Sequence, residues 1–452
     1  MTQNDPKIET RGGSGREFLF SRNEPPAGQP AAVRAAEPML GGVPAKASPF
    51  SADEQAETAF LARAMPRLAS AGGFGTLAIR IDPLEAAGDG QPDTRMDALR
   101  RILGEVLERL CRDQNGLWAE IGGDALACFL PGRNTPQCRE AARSIQQALS
   151  ERRPETVTVG IAMFPCINYH RRQMLANARK AVDHAAFFGP GSRVVFDAVS
   201  LNISGDRFYQ EGDFDGAVEE FKRALLLDPT EVNVHNSLGV CYGLLGRLDE
   251  ALAAFEAAVF LDPDEALARY NSGLVHMLQA RSDEALACFH AAARISPDLF
   301  EVAFQTGKLY LIKGEPAQAL AFLEKAAGLQ PAAGPAQACL GQCYEALGRP
   351  QEAIAAYKRA VKQNPGDAAS LSAIGHLFDL QGENPEIATL FCRQSVALEP
   401  TSGLYHYRLG HLLLKQDQVA AALEAFEAAR ERGHDARAEI DSLQRRLTAR
   451  AS

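Results

Sequence analysis

The chain has 452 residues, 46% hydrophobic and 23% charged, which is enough apolar material for a sizeable core and too much length for one ordinary domain. Its formal charge is −10, and the acidic surplus sits in the C-terminal half: residues 1–50 carry 6 basic and 5 acidic side chains, residues 51–197 carry 18 of each, and residues 198–452 carry 23 against 34. No segment has the basic footprint of a nucleic-acid binder, and no apolar run approaches the roughly 18 residues of a membrane span.

The N-terminus lacks the apolar core of a secretory signal. The nine cysteines are odd in number and contain no CxxC pair, so they point to a reducing cytoplasm and not to a disulfide framework. Cys339 and Cys343 stand one helical turn apart without a neighbouring His or Cys ligand, and they read as helix-packing residues.

Residues 1–50 hold 7 Pro, 6 Gly and 7 Ala and show no period, so they read as a disordered tail in which Glu17-Phe18-Leu19-Phe20 is an apolar island. Residues 51–197 change character. A helical pattern runs from Ala56 to Ser70, a strand from Thr76 to Ile81, and an amphipathic helix from Asp97 to Arg112. Two short apolar runs, Leu117–Ile121 and Ala125–Leu130, flank Gly122-Gly123-Asp124. That spacing predicts a β-hairpin whose glycines supply a positive φ. A helix (Pro136–Leu149), a strand (Thr156–Met163), a helix (Arg172–Phe188) and a last strand (Arg193–Phe196) follow. The order is that of an α/β, ferredoxin-like core.

From residue 198 the period changes to 34. Prolines fall at 229, 263, 297, 331, 365 and 400, with alanines from Ala217 to Ala422 and glycines from Gly205 to Gly410 in the same rhythm. These markers resemble the tetratricopeptide repeat, seven times over residues 198–434, with a polar capping helix within residues 435–452. Each repeat is expected to be two antiparallel helices. Gly and Ala would let the backbones approach, and an aromatic or apolar residue four after the Ala would fill the gap toward the next repeat. The sixth repeat has one extra residue around Gly382–Pro385, where a wider turn is expected.

Such solenoids present a groove lined by the first helix of each repeat. Counting along those helices places Tyr270, Leu274 and Met277, then Phe304 and Leu311, in an apolar patch, with Asn236 and Asn271 offering amides to a bound backbone. The lysines of the clamp that grips acidic chaperone tails are missing, and the −11 of this half disfavours an acidic ligand. A basic or apolar protein or peptide is the expected partner.

Gly122-Gly123-Asp124, the strand Val157–Ala162, the helix segment Ala176–Ala181 and Gly189 together resemble the GGDEF family of diguanylate cyclases over residues 55–197. That resemblance implies a palm-like fold, and condensation of two GTP molecules by Mg²⁺ held on carboxylates of the first strand and the hairpin. Arg80 stands at the family's first metal-ligand position while Asp82 matches its second carboxylate. Asp124 remains on the hairpin, but Ala125 and Leu126 replace the residues that follow it. Ala186 replaces the phosphate-contacting lysine, and Asp113 and Gly116 stand where the product-inhibition pair would be. The segment Leu84–Asp97 has no counterpart of the guanine contacts.

A cation at a cation site opposes metal binding, so Arg80, Asp82, Gly122, Gly123 and Asp124 form a degenerate nucleotide site with no metal and no cofactor. Arg80 would contact phosphate directly if a nucleotide binds without turnover. The expected whole is a multidomain chain, a GGDEF-type α/β domain at 51–197 followed by an all-α solenoid, working as a non-catalytic scaffold whose first domain regulates or dimerises. The alternative is an active nucleotidyl cyclase using GTP and Mg²⁺, with the repeats as its sensor.

Overall fold

The computed structural model describes residues 53–84, 92–113, 115–382 and 384–451, so the tail with its Glu17–Phe20 island and residues 85–91 of the 84–97 segment lie outside the described residues. The chain divides into two compact units, one up to Val275 and one from His276. The break therefore falls among the repeats and not at residue 197, because the first repeats are packed into the same body as the sheet.

The first unit begins with α1 (Glu54–Leu68), β1 (Phe74–Ile81), α2 (Pro92–Asp113), β2 (Leu117–Glu120), β3 (Ala125–Pro131), α3 (Thr135–Ser150), β4 (Val157–Phe164), α4 (Met174–Ala185) and β5 (Arg193–Val195). The strands form one sheet in the order β2-β3-β1-β4-β5. β1 lies antiparallel between β3 and β4, β2 pairs antiparallel with β3, and β5 runs parallel to β4. The first four strands have the split β-α-β order, and β5 makes the sheet mixed. Every residue of β1 is buried, which is why its sequence is apolar without strict alternation.

Helices cover both faces. Leu77, Ile79 and Ile81 share a core with Leu99, Leu103 and Leu107 of α2 and with Cys138, Ile145 and Leu149 of α3. On the other face Phe60 of α1 stacks on Phe129 at 5.2 Å. There α4 lies so close to β4 that a Cβ on Gly160 would stand 2.0 Å from the Ala178 carbonyl oxygen. Glycine is required at that position by the approach of the helix.

The same α4 meets the first solenoid pair, α5 (Ala198–Gln210) and α6 (Phe214–Leu227). Lys180 of α4 bonds the buried Glu220 of α6, which also takes Arg223 at 3.1 Å, and Arg207 of α5 reaches Asp183 at 2.9 Å. Asp197 caps α5 through the Ser200 amide at 2.9 Å and stands 3.3 Å from His184 Nδ1. Although Asp, His and Ser meet here, the one Nδ1 faces both oxygens and Ser200 is fully buried, so the group closes a helix end and is no nucleophile relay.

Further repeats follow as α7 (Val232–Leu244), α8 (Leu248–Leu261), α9 (Ala266–Leu278), α10 (Ser282–Ile295), α11 (Phe300–Ile312) and α12 (Pro316–Leu329). After these come α13 (Gly334–Ala346), α14 (Pro350–Gln363), α15 (Ala368–Gln381), α16 (Pro385–Leu398), α17 (Gly403–Lys415), α18 (Val419–Glu431) and α19 (Arg437–Ala451). Where the second helix carries an aromatic, the glycine of the first helix faces that ring and not the facing backbone that was expected. A Cβ on Gly205 would lie 2.4 Å from Phe221, on Gly239 2.6 Å from Phe255, and on Gly341 2.6 Å from Tyr357. The aromatic therefore fills a space inside its own repeat.

In the sixth repeat Cys392 takes the ring's place, and a Cβ on Gly375 would also stand 2.8 Å from the Ala388 carbonyl oxygen. The extra residue there lengthens α15 to Gln381 and is absorbed by Gly382 and Asn384, both at positive φ. The helix α19 is polar outward but buries Ile440 and Leu443 against the core of α17 and α18, and its Glu439 accepts from the Tyr407 hydroxyl at 2.8 Å.

Gly239→Ala is expected to destabilise the chain by about 1–3 kcal/mol, because the ring cannot retreat. Thermal unfolding against the unmodified chain measures this. Asp197→Ala should cost about 1 kcal/mol for the lost cap. Burial works to raise the Asp197 carboxyl, yet hydrogen bonds and charge from His184 and the Ser200 bonds hold it below its usual value. Its contribution is then complete above the unfolded value of about 3.9 and fades as pH falls through the lower folded one. An acid titration of stability should accordingly show a smaller acid-side loss in the variant than in the parent chain.

Candidate functional site

Two places were expected to carry function, the strand–hairpin edge of the sheet and the row of first helices. At the sheet, β1 ends in Arg80 and Ile81, with Asp82 just beyond, and the hairpin turn lies beside it through an Ile81 amide to Asp124 carbonyl bond of 2.8 Å. Alternation along β1 puts Arg80 on the α1/α4 side, opposite Ala125 on β3 and Thr158 on β4. It is mostly buried.

Asp82 is also buried, and both its oxygens are engaged: Oδ1 accepts from the Thr158 hydroxyl at 2.5 Å, and Oδ2 accepts from the Thr156 hydroxyl at 2.6 Å and the Gly191 amide at 2.7 Å. The carboxylate ties the start of β4 and the loop before β5 to the end of β1. Burial pushes the Asp124 carboxyl up, opposed by its backbone bond and by the charge of Arg80. The expectation for the glycines is corrected at Gly123, which has open space around it and a φ outside the left-handed region. The turn closes instead through Ile121 and Ala125, whose backbones bond at 2.8 Å.

A magnesium–nucleotide needs carboxylates open to it on the strand and the hairpin together. Here one is spent on the fold, its neighbour is a guanidinium, and Asp124 is left by itself. These residues do not fit that group. Among the described residues no cluster of three or more His, Cys, Asp or Glu side chains could hold a metal ion. Burial pushes the thiols of Cys138 and Cys339 up to about 11, away from thiolate chemistry.

On the first helices, sequence counting put too many residues at the surface. Asn236 and Asn271 are fully buried, and the Asn271 amide donates to Asn236 Oδ1 at 2.9 Å, so these groups are spent on one another inside the first unit. Tyr270 is 1% exposed and Leu274 is buried as well. These four side chains are taken up by packing and are removed from the groove.

Met277, Phe304 and Leu311 stay partly open. Phe304 stacks on Phe300 at 5.7 Å and has the Lys308 ammonium 6.0 Å from its ring centre. The open apolar side chains lie at the last turn instead. Leu278 and Ile312 are one 34-residue step apart and Leu380 two steps further, all exposed, with exposed Ala346 between. The period itself was the signal for this row, because a position that repeats as Leu, Ile, Ala and Leu at helix ends is not needed by the core. Beside it stand Glu345, which accepts from the Tyr357 hydroxyl at 2.8 Å, and Asp379, held by Lys415 at 2.7 Å.

Family comparison matches the tetratricopeptide repeat over residues 204–265, 245–300 and 310–377. Among curated proteins none matches the chain. Three solved structures show the kind of likeness found. YrrB, described as a repeat protein with an unusual peptide-binding site, is 22% identical, with 42% of this chain and 96% of that one covered and a TM-score of 0.39. PilF of Pseudomonas aeruginosa is 21% identical over 46% and 94%, with a TM-score of 0.42. MamA is 27% identical over 36% and 96%, with a TM-score of 0.34. No described helix is long and apolar enough to cross a membrane. The C-terminal part of the chain is therefore an all-α solenoid of tetratricopeptide repeats, a fold that generally binds protein or peptide partners, preceded by a small mixed β-sheet.

Proposed function

We propose that the chain is a non-catalytic interaction scaffold whose first helices dock a protein segment by its apolar side chains. The observation that carries this is the exposed row Leu278, Ile312 and Leu380, flanked by half-open Phe304 and Leu311. A soluble protein keeps such a row open when a partner covers it. The surplus of 34 acidic over 23 basic side chains in residues 198–452 favours a segment that also carries positive charge.

The first domain, in this reading, is a GGDEF-like fold that has given up catalysis and serves as a regulatory or dimerising module. Support comes from Asp82, whose oxygens serve the sheet, and from Arg80, whose charge opposes a metal. Nine free thiols are consistent with work in a reducing cytoplasm.

Incubation of the purified chain with GTP and Mg²⁺ or Mn²⁺ is expected to yield no cyclic nucleotide, and calorimetric titration with GTP, ATP or cyclic dinucleotides no heat. A cyclic product would restore the cyclase alternative. Asp82→Ala is expected to lower stability by about 2 kcal/mol, as for loss of buried hydrogen bonds to a charge. For the docking row, the double variant Phe304→Ala and Ile312→Ala should recover at least about tenfold less of a captured partner, the loss of some 1.4 kcal/mol. Quantitative capture from native lysate measures it, and equal recovery by both chains would remove the groove from the proposal.

A further inference from the structure

Repetition supplies an internal control for two outward positions of the second helices, and the sixth repeat departs from four others at both, while elsewhere on these helices Leu226, Phe260 and Leu329 are also exposed. Taking the packed alanine as reference, the preceding residue is Glu250, Glu284, Gln318 and Glu352 in four successive repeats but Ile387 in the sixth. The residue two after that alanine is Ala253, Ala287, Ala321 and Ala355 in those repeats but Leu390 in the sixth. Both large side chains point to solvent, Ile387 at 45% and Leu390 at 55% exposure, and Leu398 extends the stripe at 50%. The opposite face of α16 buries Ala388, Thr389, Cys392 and Ser395. A helix that is apolar on its core face and again on its solvent face has a second face to cover.

The charges around the stripe say what covers it. Glu386 and Arg393 are both exposed and stand seven residues apart, so they point within about 20° of the same direction. Ile387 and Leu390 lie between them in sequence. If two copies of α16 are laid antiparallel about a two-fold axis between residues 389 and 390, Glu386 of each faces Arg393 of the other. Leu390 then lies between the two ion pairs, and Ile387 flanks it on one side. A pattern that is complementary to its own reverse is what an isologous contact requires.

We infer that α16 is a homotypic docking surface, and that a second copy of this chain occupies it in antiparallel register. This surface lies on a second helix, whereas the row lies on first helices. A single-helix contact is smaller than the roughly 1,200–2,000 Å² of a standard stable interface, so the association is weak and concentration-dependent.

Sedimentation equilibrium on the full chain tests it, from about 1 to 200 μM, within the range of weak association. The expected result is a monomer–dimer equilibrium whose dissociation constant rises at least about tenfold in Leu390→Glu. That side chain is exposed, so circular dichroism and thermal unfolding should match the parent. Glu386→Arg alone and Arg393→Glu alone should each weaken the dimer, and the two together should restore it, which no folding defect would do.

A chain that stays monomeric throughout overturns the inference, as does a dimer indifferent to Leu390→Glu, which would place self-association elsewhere. A double charge reversal no better than the single ones rejects the antiparallel register. A monomeric chain that binds some other protein through this helix rejects the second copy as the occupant.

Discussion

The packing of α4 is the constraint on which the first unit depends. One side of this helix presses on Gly160 closely enough to exclude a Cβ. Its other side carries Lys180, Asp183 and His184 into the first repeat, where Glu220, Arg207 and Asp197 receive them. Burial lowers the ammonium of Lys180, and Glu220 opposes that loss. Such pairs add little net stability against apolar replacements, because both charges are desolvated, but breaking one leaves the other stranded. Their value here is in position. A repeat alone cannot bury its apolar side, and α4 covers that side of the first repeat with a helix already fixed by the sheet. The boundary between the units accordingly falls at residue 275, and the last strand and the first solenoid helix belong to one body.

The solenoid obeys a second constraint, the trade between glycine and ring. A first helix gives up a Cβ so that Phe221, Phe255 or Tyr357 can sit against it, and the pair recurs at every 34 residues because each repeat must close its own interior. Where the ring is reduced to Cys392, a Cβ on Gly375 would meet both that sulfur and the Ala388 carbonyl. The same repeat lengthens α15, turns through Gly382 and Asn384, and carries Ile387 and Leu390 on its outward face. Its departures are concentrated in one place, inside and outside together.

The element order and the repeat register were legible in the sequence, because both are written in spacing. Gly160 was part of a recognised strand, but nothing local to it announces that a helix lies 2.0 Å from its missing Cβ. Gly122 and Gly123 looked like turn residues of the positive-φ kind, yet Gly123 takes an ordinary φ, since a glycine's composition permits that conformation without requiring it. The site residues were harder. Asp82 was read as half of a metal site, and only the fold brings Thr156, Thr158 and Gly191 around it from positions more than seventy residues away. Tyr270, Asn236 and Asn271 were placed on the right helices and on the wrong side of the surface, because a helical count gives direction around one helix and says nothing of what its neighbours cover.

That difference explains where new surface is found in a repeat protein. Positions that keep the stack together are held to a few residue types in every repeat, so a core position is recognised by its sameness. A surface position is free to vary and, where no partner meets it, drifts among Glu, Gln and Ala, as the positions of α8, α10, α12 and α14 that match Ile387 and Leu390 do. Large apolar residues at such positions oppose solubility in each copy that carries them. The last-turn row keeps an apolar character from repeat to repeat, which fits one extended segment lying across several helices. The pair Ile387 and Leu390 on α16 does not recur at the matching positions of the four repeats before it, which fits a local contact made by a single helix. Two patterns of exposure, one periodic and one solitary, thus describe two different kinds of encounter on the same scaffold.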